Sequence, residues 1–168
     1  MQMNTFIRAG VRLAAAAGLV AGLFANPAAA QDWKPQGQFG WFAVGKVIEL
    51  QKGHYFWTGE FSGTFFSDKG PGGVMHGAGV KCPGWNDANI AAAKGKAAGY
   101  CIVSDADGDI AWLSWSVEGD TRASKGTFEW TGGTGKYKDI KGSNTVATQF
   151  TGNWADGTAS GLAVWNRK

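Results

Sequence analysis

The chain is poor in the residues that usually announce a site. Two cysteines and two histidines in 168 residues allow one intramolecular bridge and leave no zinc ligand set at the usual spacing. Only 17% of the residues are charged, no long basic run occurs, and the formal net charge is +3. Nothing therefore marks nucleic acid as a partner. No Gly-x-Ser-x-Gly elbow is present, so a serine nucleophile has no support. What is abundant is glycine, 27 residues, together with 9 Trp, 10 Phe and 3 Tyr. Glycine weakens helix interiors and aromatics favour strands, which argues against a helical bundle. So many aromatics at so low a net charge also argue against disorder.

Residues 1–30 read as a secretory signal. Arg8 and Arg12 form a positive start. An uncharged apolar run over 13–25 has signal-peptide length and is too short to span a bilayer. Pro27 and the small residues Ala28-Ala29-Ala30 then supply a cleavage site before Gln31. The alternative is an uncleaved anchor. No later stretch is apolar enough to span a membrane as a helix, so the domain over 31–168 is expected free of the membrane. Cleavage takes away two arginines and no acid. The 16 basic and 13 acidic residues become 14 and 13, a net charge of +1. The basic balance belongs partly to the leader and does not imply an acidic partner. A periplasmic or secreted location follows from the signal.

An exported chain meets an oxidising compartment, so Cys82 and Cys101 are expected to pair. By the chain-entropy model such a bridge stabilises by about 3 kcal/mol, a sizeable share for a small domain. The alternative is a reactive thiol or metal-binding pair, for which only Lys81 offers a favourable neighbour.

After a polar arm over 31–38, short apolar and aromatic stretches alternate with Gly, Asp, Lys and Asn. Strands are predicted over 39–50, 54–66, 74–82, 99–104, 110–118, 126–131, 144–152 and 158–165. Eight strands at this spacing, joined by short turns, predict one all-β domain, an antiparallel barrel or sandwich. Segment 86–98 breaks the pattern with Ala88, Ala91, Ala92, Ala93, Ala97 and Ala98. It reads as a short helix weakened by Gly95. Held between the cysteines, it is either a tied-down excursion or a lid.

Alternation assigns side chains to faces but does not say which face is inside. Tyr55, Trp57, Phe61 and Phe65 share one face of the second strand; Glu60, Ser62 and Thr64 share the other. Phe128 and Trp130 oppose Glu129, and Trp112 groups with Ser114 and Ser116. Two interiors stay open. Either the apolar faces fill a packed core, or a partly polar cavity is lined by Glu60, Glu129, His76 and Gln149. The second arrangement makes Glu60, His76 and Glu129 acid–base candidates. It makes Trp57, Ser62, Trp112, Trp130 and Gln149 candidates for ligand contact.

Two glycine- and aspartate-rich stretches imitate known sites and fail on detail. In Gly132-Gly133-Thr134-Gly135-Lys136-Tyr137, Trp130 stands where a phosphate loop needs its first Gly, and Tyr137 where it needs Ser or Thr. Lys138 replaces the third Gly of a dinucleotide fingerprint. The stretch reads as a turn, and no cofactor is expected. Asp105-Ala106-Asp107-Gly108-Asp109 starts like a calcium loop, but Ile110 and Ser116 occupy the positions of the required Gly and Glu. A hairpin turn is the reading here, with a weak calcium site as its alternative.

The run Gly126-Thr127-Phe128-Glu129-Trp130-Thr131-Gly132-Gly133-Thr134-Gly135-Lys136-Tyr137, with Ile140 and Gly142-Ser143, resembles the glycine signature of allene-oxide-cyclase-like barrels. That superfamily also contains the dirigent proteins. A group of exported proteobacterial proteins is more similar still. Its members combine the signature with an upstream Cys, here Cys82, and with Gly99-Tyr100-Cys101 before the aspartate hairpin. The resemblance covers roughly 77–150. It implies an eight-stranded antiparallel barrel, often a homo-oligomer, with a cavity for an apolar molecule. In the plant members that cavity steers cyclisation or radical coupling; none of their catalytic residues aligns with a position here. The expectation is thus an exported barrel that binds a small apolar or aromatic molecule. Its alternatives are a cyclase or isomerase of the same type, and a structural barrel with a filled core.

Overall fold

The computed structural model describes residues 33–167. The expected leader and cleavage site, residues 1–30, lie outside the described residues. Eight strands follow in chain order: β1 Gly37–Gln51, β2 His54–Ser67, β3 Gly79–Asn89, β4 Lys94–Ser104, β5 Ile110–Asp120, β6 Ala123–Gly133, β7 Ser143–Asn153 and β8 Ala159–Trp165. Each pairs antiparallel with the next, and β8 returns to β1, from Gly37↔Trp165 to Ala43↔Ala159, closing a barrel. The only helical element among the described residues is a 3-10 turn at Gly135–Tyr137. No helix among them is long and apolar enough to cross a membrane.

Two predicted elements differ. Segment 86–98 is not helical: it carries the end of β3, a turn over 90–93 and the start of β4. Intrinsic alanine preference is a few tenths of a kcal/mol per residue. Here it is outweighed by ladders on both sides, since Asn86↔Ala97 pairs β3 with β4 and Ala97↔Val117 pairs β4 with β5. The segment between the cysteines is therefore wall, not lid. The strand predicted over 74–82 begins only at Gly79. Before it the chain turns repeatedly, with positive φ at Gly70, Gly72, Met75 and Gly77. Cys82 and Cys101 form a disulfide, their Cα atoms 4.0 Å apart across β3 and β4.

The apolar faces point inward. Phe39, Trp41, Phe61, Phe65, Leu113, Phe128, Trp130 and Trp165 are all buried. Burying one such aromatic side chain stabilises by about 1.5–3 kcal/mol. The glycines explain how so many indoles fit. Gly84, Gly99 and Trp115 lie in one cross-strand row. A Cβ on Gly84 would come within 2.9 Å of Trp115 Cζ2, and on Gly99 within 3.1 Å. Trp57 covers Gly45 and Trp41 covers Gly161 in the same way. Bare backbone on neighbouring strands thus gives each indole a flat seat.

One end of the barrel is sealed. The arm before β1 crosses it: Trp130 Nε1 donates to Trp33 O (3.0 Å) and Asn166 Nδ2 to Pro35 O (2.9 Å). Trp33 packs edge-on to Tyr137 at 5.3 Å. Arg167 clamps the end through its ion pair with Asp68. At the same end the two imitation motifs lock together. Lys136 Nζ lies 2.6 Å from both Asp105 Oδ2 and Asp107 Oδ2, and its amide donates to Asp109 Oδ2 (3.1 Å). Gly135 has φ +47, and a Cβ there would collide with the Asp109 carboxylate. That glycine serves the turn rather than a phosphate.

Candidate functional site

The opposite end is open. There the hairpins β3–β4 and β5–β6 stand around a mouth, and below it lies a cavity of about 70 Å³. Its wall is made by inward side chains of successive strands: Trp41 of β1, Phe61 of β2, the disulfide of β3 and β4, and Leu113, Trp115 and Val117 of β5. Phe128, Val146, Ala163 and Trp165 close it from below and from the far side. Polar groups gather at the mouth: Asn86, Lys96, Asp120, Thr121, Ser124 and Thr148. The aromatic rings are mutually wedged. Trp41 meets Phe61 edge-on at 5.2 Å and Phe150 at 5.1 Å, and Phe61 meets Trp115 at 5.8 Å. Such contacts add about 0.5–1.5 kcal/mol each beyond burial. The cavity is therefore a small aromatic-lined cup.

The residues singled out from the sequence fall mostly elsewhere. Strand pleating sets Glu60, Ser62, Trp112, Glu129 and Gln149 opposite the buried positions, on the outer wall. Glu60 pairs there with Lys81, Nζ to Oε2 3.2 Å. Trp112 is 40% exposed, and Ser62, Glu129 and Gln149 are also exposed. His76 sits in the β2–β3 connection, its ring edge-on to Phe66 at 5.7 Å. None of these six lines the cup. The polar faces that suggested a polar cavity are the wet faces of a barrel filled by its apolar ones.

Trp57 and Trp130 do turn inward. Both spend their N–H on backbone carbonyls, Trp57 on Gly157 O (2.8 Å) and Trp130 on Trp33 O (3.0 Å), and neither borders the cavity. The cup instead uses Trp41, Phe61, Trp115 and Phe150, which the sequence reading did not select as ligand contacts. The available signal was the apolar alternation of Leu113, Trp115 and Val117.

A histidine–carboxylate pair exists, between other residues than expected. His54 Nε2 lies 2.6 Å from Asp87 Oδ1. It borders a wide outer groove of about 540 Å³ shared with Lys96, Glu118 and Asp120. Both side chains are partly solvent-exposed. Among the described residues no group of three His, Cys, Asp or Glu is placed to hold a metal ion. At the aspartate hairpin, the Lys136 ammonium stands against Asp105 and Asp107. Burial alone would raise the Asp105 pKa, but hydrogen bonds from Lys136, Tyr137 and the amides of Asp109 and Asp107 outweigh it and hold the carboxyl below its ordinary value. The Tyr137 hydroxyl is pushed up to about 12, first by burial and then by its bond to Asp105.

No protein-family model, curated protein or solved structure matches the chain.

Proposed function

We propose that this barrel binds a small, flat, apolar or aromatic molecule in its cup. The observation that carries the reading is an aromatic-lined cavity open at one end of a barrel sealed at the other. Its volume limits the ligand. About 70 Å³ is less than half of the ~150 Å³ apolar cavity that admits benzene. It is also well below the ~300 Å³ at the low end of sites for drug-sized ligands. A single ring is the largest body that can enter, and it does so only with half-buried Phe150 and exposed Lys96 shifting rotamer at the mouth. The same small volume favours a second reading, a structural barrel filled by its own aromatics.

Thermal shift separates the two. Benzene, toluene and phenol raise the melting temperature if the cup binds, because a ligand held only by the native state stabilises it. Ala97→Phe, which fills the mouth side of the cup, removes that rise. A flat response to all three, or an unchanged response in Ala97→Phe, refutes cup binding and leaves the filled barrel.

The buried disulfide fits an oxidising compartment. With the signal-like residues 1–30 it supports a periplasmic or secreted protein. The closed eight-stranded barrel agrees with the architecture that the allene-oxide-cyclase-like resemblance implies. A cyclase or isomerase would need acid–base groups at the cup, and Glu60, His76 and Glu129 lie outside it. Self-association, also implied by that resemblance, has support in Ile102 and Trp112. They pair directly across β4 and β5 on the outer wall, and both are about 40% exposed. Sedimentation equilibrium of wild type and Trp112→Glu tests it; a monomer in both refutes it.

A further inference from the structure

We propose that the outer wall carries a second binding site, independent of the cup. It is a straight row of aromatic rings, Phe56, Trp85, Tyr100 and Trp112, that docks a neutral, linear β-1,4-linked glycan. The four rings lie on successive strands, β2 to β5, at outward positions. Their register is regular. Phe56 stands opposite Asp87, two residues along from Trp85. Trp85 stands opposite Ala98, two along from Tyr100, and Tyr100 opposite Ser114, two along from Trp112. Every step crosses one strand and advances toward the sealed end. Diagonal neighbours of this kind are about 7–8 Å apart, which makes the row roughly 20–25 Å long. Phe56 and Trp85 are stacked, their centroids 6.0 Å and their planes 22° apart. Trp85, Tyr100 and Trp112 are 37%, 66% and 40% exposed.

The closure of the barrel makes this diagonal straight. The ladder Val117, Gly126, Val146, Trp165, Gly37, Ser67 begins on β5 near the mouth and ends on β2 at the sealed end. Lines perpendicular to the strands therefore descend toward the sealed end in strand order. Their slope is the tilt of the strands from the axis, about 35–45° in such barrels. One strand across (about 4.8 Å) and two residues along (about 6.7 Å) adds about 55° in the same sense. The sum is close to a right angle from the circumference, so the rings line up along the barrel axis instead of wrapping round it.

Shape and charge choose the occupant. A straight row of this length matches a chain of repeating rings rather than one small molecule. Single-stranded nucleic acid also stacks on aromatic rows, but it needs a positively charged track. Here Lys81 is paired with Glu60 at 3.2 Å and Lys96 with Glu118 at 3.4 Å. Lys46 and Asp87 beside the row cancel in sign. A proline-rich peptide docks in a groove and brings no N–H at proline. This wall is convex, and the Asp87 carboxylate, 41% exposed, can only accept. Sugar hydroxyls donate as well as accept, and Asp87, Thr58 and Ser114 stand beside the rings to meet them. The C–H faces of pyranose rings are apolar and stack on indole and phenol rings. A β-1,4 link keeps the chain an extended ribbon, as a straight row requires, whereas an α-1,4 link coils it.

The test titrates the wild-type protein with cellohexaose and with chitohexaose and follows the indole ¹H–¹⁵N signals. At least one hexamer is expected to move the signals of Trp85 and Trp112 and to leave those of Trp41 and Trp115, inside the barrel, in place. It should bind about tenfold more tightly than its disaccharide, which covers fewer rings. Trp85→Ala should weaken it about tenfold, the upper size of one ring contact. Tyr100→Ala, which removes the most exposed ring and leaves the fold intact, should weaken it about fivefold. If neither hexamer moves the Trp85 or Trp112 signal, or if Tyr100→Ala binds as wild type does, the proposal is overturned. Equal binding of maltohexaose, or tighter binding of decaproline or a thymidine decanucleotide, overturns it too. Signals of Trp85 and Trp112 that shift with protein concentration and not with glycan assign the row to a second copy of the chain, and likewise overturn it. None of these outcomes bears on uptake of an aromatic molecule by the cup, which is read from Trp41 and Trp115.

Discussion

Reduction of the Cys82–Cys101 bridge is the perturbation whose cost the structure sizes most directly. The two residues are 19 positions apart. Closing a loop of that length removes entropy from the unfolded chain worth about 3 kcal/mol at 25 °C. The native side changes little, because β3 is held by β2 and β4 by β5 whether or not the sulfurs are joined. The reduced protein should therefore stay folded and lose about 3 kcal/mol of a total in the usual range of about 5–15. For the 138 residues after position 30, unfolding entropy near 2.1 cal/mol/K per residue turns that loss into a drop of roughly 10 °C in Tm. Both cysteines are buried, so reduction must be carried out on unfolded protein and followed by refolding with reductant present. Cys82→Ala with Cys101→Ala should cost about 1 kcal/mol more, since it also empties the space of two sulfurs facing the cup. Guanidinium melts with and without reductant measure both. A loss below about 1 kcal/mol on verified reduction would refute the argument that the bridge acts by restricting the unfolded chain.

Gly84→Ala should destabilise by about 1–3 kcal/mol. The added Cβ overpacks Trp115 and the Ala98 carbonyl, which outweighs the roughly 0.4–1 kcal/mol gained by stiffening the unfolded chain; a neutral or stabilised variant in urea melts contradicts the seating of Trp115. Asp105→Asn should be destabilising at pH 7 and approach wild type below about pH 4. A carboxyl held below its ordinary pKa stabilises above the unfolded value near 3.9, and that contribution fades as pH falls through the folded value. A gap between the two proteins that stays constant down to pH 2 counts against it. Tyr137 acts at the other extreme. Its folded pKa of about 12 lies above the unfolded value near 10, so between about pH 10 and 12 the unfolded chain releases a proton that the native state keeps. Stability falls with rising pH in that window, and Tyr137→Phe should flatten the fall in alkaline urea melts; an unchanged slope refutes the assignment.

Strand order and face alternation were legible because the outer and inner residues of β2, β5 and β6 differ so clearly in polarity. The start of β4 was not. Its alanines carry a helical preference, and only pairing with β3 and β5 makes them strand. The functional face was hidden for a different reason. Alternation groups Glu60 with Ser62 and Phe61 with Phe65, yet which group is interior depends on closure of the barrel, a long-range event. Trp115 shows the limit most sharply. Its ring is seated on two glycines of β3 and β4, which its own strand does not reveal.

The central claim is that the cup takes up a small aromatic molecule. Crystals soaked in bromobenzene test it through the anomalous signal of bromine. The account predicts a peak inside the barrel, bounded by Trp41, Phe61, Trp115 and Phe150. A saturated soak with no peak there, or with bromine only on the outer wall near Ile102 and Trp112, contradicts it.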